Sequence, residues 1–110
     1  MMIGKGLSLL VALCFSLLSI LARADYTPTG KITLTQGHFI AKCRIVQFKE
    51  NATGTLRHFR IPDNGGTQDN GIAAVALSAL IANRDVTIVY DPAQTTGCGS
   101  EPAIQYISIN

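Results

Sequence analysis

The chain has 110 residues, no Trp, 15% charged residues and a formal net charge of +2. Most of that positive balance is N-terminal. Removing Lys5 and Arg23 from the nine Lys and Arg leaves seven, against seven Asp and Glu. A neutral remainder gives no electrostatic reason for a nucleic-acid partner or an anionic membrane surface.

The first 24 residues read as a cleaved signal peptide. Lys5 supplies the positive start, Leu7 to Leu21 the apolar stretch, and Ala22-Arg23-Ala24 the small-residue cleavage site. Ser16 and Ser19 interrupt the apolar run, which is short for a stable span, so a retained membrane anchor is not expected. The expected mature chain is one small domain, residues 25–110, periplasmic or secreted. Cys14 leaves with the signal segment, and Cys43 and Cys98 remain as a pair in an oxidising compartment. Neither Cys has metal-ligand or redox-motif spacing, so a structural disulfide is expected.

Asp25 to Gly30 is an arm of turn-forming residues. Lys31 to Thr35 alternates as a strand with Ile32 and Leu34 on one face, interrupted at Gly37 and His38 by a bulge or a loop. Cys43 to Lys49 is a second strand with Val46 and Phe48 inward. Gly54 marks a turn, and Leu56 to Ile61 is a third strand with Phe59 and Ile61 inward and His58 and Arg60 outward. Phe39, Phe48 and Phe59 are the expected core or partly core aromatics.

After a polar loop from Pro62 to Gly71, the apolar set Ile72, Val75, Ala76, Ala79 and Leu80 has helical spacing. Asp69 or Asn70 suits its start, and Asn83 with Arg84 suits its end. The second helix face, Ala73, Ala74, Leu77 and Ile81, is also apolar, which raises the expectation of self-association. Val86 to Tyr90 is a fourth strand, Asp91 to Pro102 a loop held by Cys98, and Ala103 to Ile109 a fifth strand. The fold class is therefore mostly β with one α-helix. An OB-fold-like five-stranded Greek-key barrel, with the helix between strands 3 and 4, fits this order. A split antiparallel sheet with the helix on one face gives the same string.

No chemistry of catalysis stands out. His38 and His58 are the only imidazoles, and zinc would need two further ligands. There is no nucleophile elbow or metalloprotease motif, and Gly65-Gly66 lacks the Lys-Ser/Thr ending of a phosphate loop. The chain is read as neither an enzyme nor a metal or cofactor protein. Sugar binding asks instead for a few convergent polar groups and an aromatic face. Tyr90 offers a ring and a hydroxyl, and Thr29 a hydroxyl.

The segments TGKITLTQ and ALIANRDVTIVYDP resemble the B subunit of subtilase cytotoxin and the related pertussis-like and typhoid-toxin-like B subunits. The resemblance implies a secreted OB-fold protein that forms a ring pentamer, binds sialylated host glycans and accompanies a separate catalytic A subunit. It also implies a glycan site. The family's serine before a glycine at the first strand falls on Thr29, an aspartate four residues earlier on Asp25, and a tyrosine before an acid-proline pair on Tyr90. The long loop with Cys98 departs from the cytotoxin pattern, and Thr29 adds a methyl group to the family's serine.

Overall fold

The computed structural model describes residues 24–63 and 67–110. The segment read as a signal peptide lies, but for Ala24, outside the described residues, as do Gly65 and Gly66. In chain order the elements are β1 (Asp25–Tyr26), β2 (Gly30–Gln36), a 3-10 turn (Ala41–Cys43), β3 (Ile45–Glu50), β4 (Leu56–Arg60), α1 (Thr67–Ala82), β5 (Asp85–Thr95) and β6 (Pro102–Ile109).

Five strands close into a barrel. β2 pairs with β3, β3 with β4, β5 with β6 and β5 with β2, all antiparallel. A single parallel bridge, Arg60 to Ala103, joins β4 to β6 and completes the ring. This is an OB-fold-like arrangement. β1 is an extra two-residue strand laid on β5. Counting it, the helix falls between the fourth and fifth strands, one place later than in the sequence reading, which left Asp25 and Tyr26 in the arm.

Alternating apolar residues fill the barrel. Ile32, Val46, Phe48, Phe59, Val86, Ile88, Ile104 and Ile107 form one buried cluster. Gly30 is where β2 turns from one neighbour to the other, since it pairs with both Glu50 and Val86. A Cβ there would collide with the Phe48 ring and the Lys49 carbonyl, so the closure needs glycine. α1 covers the barrel with Ile72, Ala76 and Ala79, while Ala73, Val75 and Leu80 pack partly against the same cluster.

The helix ends as its residues predict. Asn83 adopts a left-handed conformation, φ 51°. Its N–H donates to the Leu80 carbonyl at 3.3 Å, and the Arg84 N–H donates to Ala79 at 3.0 Å. These two bonds make a Schellman closure. The start differs from expectation. α1 begins at Thr67, so Asp69 and Asn70 lie within its first turns and neither is the cap.

Two further expectations are corrected, and one alternative is decided. Phe39 is 95% exposed at the tip between β2 and β3, with its ring stacked on His38 at 5.3 Å, because the interruption at Gly37 is a loop and not a bulge. The register shift in β2 falls instead between Ile32 and Leu34. β5 runs past Asp91 to Thr95. A register shift between Tyr90 and Thr95 lets Pro92 sit in the strand without supplying a ladder donor.

Cys43 and Cys98 form the expected disulfide, with Cα atoms 5.3 Å apart. It fastens the β5–β6 loop to the 3-10 turn. The Thr96 hydroxyl donates to the Lys42 carbonyl at 2.7 Å, and Arg60 Nε donates to Glu101 at 3.2 Å. Arg60 therefore leaves the barrel as expected but is held under this loop. Among the described residues, no helix is long and apolar enough to cross a membrane.

Candidate functional site

The β1–β5 ladder places two of the three positions expected to bind a glycan side by side. Asp25 and Tyr90 are direct partners, and Tyr26 faces Val89. The next residue, Thr27, continues the contact: its N–H donates to the Ile88 carbonyl, and its hydroxyl accepts from the Ile88 N–H, both at 2.9 Å. Asp25 is exposed, whereas Tyr90 is half-buried.

Thr29 stands at another level of the barrel. Its neighbour Gly30 pairs with Val86, four residues before Tyr90 on β5. At ~3.3 Å per residue, roughly 13 Å of strand separates the two levels. Thr29 is exposed, and its carbonyl accepts the Asn51 N–H at 3.1 Å. Beside it, Lys31 Nζ and the Asn51 amide donate to one Asp85 oxygen at 2.6 and 3.1 Å. The Lys31 bond foremost, then that of Asn51, holds the Asp85 carboxyl below its ordinary value. The structure thus unites Asp25 with Tyr90 and leaves Thr29 apart from them.

Tyr90 is tied inward. Its ring meets Phe59 edge-on at 5.0 Å, and its hydroxyl accepts from Arg57 Nη1 at 3.3 Å. Arg57 Nη2 donates to Glu50 at 3.0 Å, and Thr53 donates its hydroxyl to the other Glu50 oxygen. Glu50 is buried, and its carboxyl is held below the usual range, by the Thr53 bond first and by the Arg57 charge working against burial. Arg57 Nε is buried without a hydrogen-bond partner.

Arg57 and Glu50 escaped the sequence reading, although alternation could have found both. Arg57 is two residues before the inward Phe59, and Glu50 is two after the inward Phe48. The chemistry assembled here is that of hydrogen-bond recognition: a phenol, a guanidinium and carboxylates at the side of the barrel. The imidazoles are elsewhere. His38 Nδ1 accepts the Ile40 N–H, and His58 Nε2 meets the Gln47 amide, both at 3.0 Å. Among the described residues, no cluster of three His, Cys, Asp or Glu is placed to hold a metal ion.

Neither a protein-family model nor a curated protein matches the chain.

Proposed function

We propose that this is a non-catalytic, periplasmic or secreted B-subunit-like protein that assembles with copies of itself, as a pentamer, and binds a sialoglycan-type ligand. In this reading it is the receptor-binding component of a toxin-like complex and accompanies a separate catalytic subunit. The observation that carries the reading is the second face of α1. Leu77 is 48% exposed and Ile81 76% exposed on a helix whose other face is already buried in the barrel. An apolar strip of this kind on a single chain is a surface for another protein, and ring assembly uses two different patches on each copy. Many weak sugar sites on one ring then bind with avidity.

The test is solution mass by light scattering across a dilution series, followed by a glycan array. A stable mass near five chains, with binding lost in Thr29→Ala and Tyr90→Ala, supports the reading. A monomer at every concentration that binds no glycan rejects it. One observation favours a second reading, a monomeric periplasmic domain that binds a protein partner or is structural. Tyr90 has its ring against Phe59 and its hydroxyl on Arg57, which is what a purely structural tyrosine does. A folded monomer that binds no glycan, and that Tyr90→Ala destabilises, would match that alternative.

A further inference from the structure

A cleft of about 720 Å³ opens between the N-terminal half of α1, the 3-10 turn and β6. That is within the size range of small-ligand pockets. Ile72, Ile104 and Ile107 are its buried floor, with Val75 half-buried beside them. The exposed side chains of Gln94, Gln105 and Tyr106 line its rim. Lys42 and Asp63 are its charged lining residues, one of each sign, so the cleft suits a neutral group better than an anion.

The lining also includes five consecutive residues, 103–107. The β5–β6 register shift passes over Gln105, so Ile104 and Ile107 are both buried while Gln105 and Tyr106 are both exposed, and the cleft meets both sets along the strand. One edge of β6 is taken by β5, while the other bonds to β4 only at Ala103. From Ile104 onward that second edge has no strand partner among the described residues.

Tyr106 is held in place from the outside. Val89 pairs with Tyr26 on one side and Tyr106 on the other, and it is only 3% exposed although it lies outside the inner core cluster. The neighbouring Tyr26 phenol pushes the Tyr106 phenol up from its ordinary value.

Apolar floor and amide rim together match one ligand chemistry. A pyranose has a C–H face to lay on aliphatic side chains and a ring of hydroxyls that donate and accept, as amides and backbone groups also do. We infer that the α1–β6 cleft is a saccharide subsite, with a neutral pyranose against Ile72 and Val75 and its hydroxyls bonded by Gln94 and Gln105. This rests on the glycan-binding reading above, but places sugar at residues other than Asp25, Thr29 and Tyr90.

The test uses the oxidised, isotope-labelled protein titrated with lactose and with sialyllactose while backbone amide shifts are followed. The expected result is movement concentrated in residues 71–75, 94–96 and 103–107 with both sugars. Gln94→Ala and Gln105→Ala, both at exposed positions, should each weaken binding by roughly threefold to tenfold, the worth of one hydrogen bond, with an unchanged urea midpoint. If sugar shifts only residues 25–30 and 89–91, and both variants bind like the parent, the subsite is wrong and the general reading stands. If the parent binds neither sugar at millimolar concentration, the glycan reading fails and the subsite falls with it.

Discussion

Removing the Cys43–Cys98 bridge should be the largest stability change available in this chain outside its core. The half-cystines are 55 residues apart in sequence. In the chain-entropy treatment, a loop of that length restricts the unfolded ensemble by about 4 kcal/mol. A single small domain has only ~5–15 kcal/mol in total. The native contacts around the bridge persist without it: the Thr96 hydroxyl on the Lys42 carbonyl and the Arg60–Glu101 pair. They hold the loop in the folded state but do nothing to the unfolded one. Cys43→Ala/Cys98→Ala should therefore unfold at a urea midpoint lower by roughly 1.5–4 M, at slopes of about 1–3 kcal/mol per molar. Its slope should also rise, since the uncrosslinked chain exposes more surface. A loss below about 1 kcal/mol, with the oxidised parent shown to lack free thiols, would refute the reasoning.

The remaining predictions concern the core, the rim and the helix. Phe48 is fully buried, so Phe48→Ala should cost about 3–5 kcal/mol by denaturant titration. Gly30→Ala, which drives a methyl group into Phe48 and the Lys49 carbonyl, should cost about 1–3 kcal/mol, read from the same titration. The Glu50 carboxyl is lowered in the fold from an ordinary 4.5. Its stabilising contribution is thus present above that value and is lost as pH falls through the lower folded one. Glu50→Gln should flatten the acid limb of stability measured between pH 7 and 3, and an unchanged limb would rule this out. Leu77→Lys/Ile81→Lys should leave the thermal midpoint within a few degrees, since both side chains are exposed, yet reduce a self-associated species to single chains by light scattering.

What was legible in the sequence was whatever repeats with a period. The inward sets Val46 and Phe48, Phe59 and Ile61, and Ile72, Ala76 and Ala79 are all buried, and the Asn83 helix stop adopts the backbone that its residue type favours. On the second face of α1, Ala74, Leu77 and Ile81 are exposed as the spacing suggests, whereas Ala73 packs against the core. What failed has local causes. β1 is two residues long and exists only because β5 offers an edge, which no short-range pattern records. Phe39 looked like core because an aromatic residue is usually buried, but its loop carries it away from the barrel. Pro92 suggested a break where a register shift absorbs it. At the candidate site, the resemblance named Asp25, Thr29 and Tyr90, of which the fold pairs Asp25 with Tyr90 and leaves Thr29 apart, and the reading missed Arg57 and Glu50, whose partners lie on other strands.

The chain has three tyrosines and no tryptophan. Tyr26, Tyr90 and Tyr106 fall on β1, β5 and β6, in neighbouring rungs of one ladder. Intrinsic ultraviolet emission therefore reports a single seam of the barrel. Detachment of the N-terminal strand would change that signal at once, while loosening of the loop at Cys98 would change it least. A melt followed by tyrosine emission and one followed by helical circular dichroism interrogate different parts of this molecule, and their coincidence is the test that it unfolds as one unit.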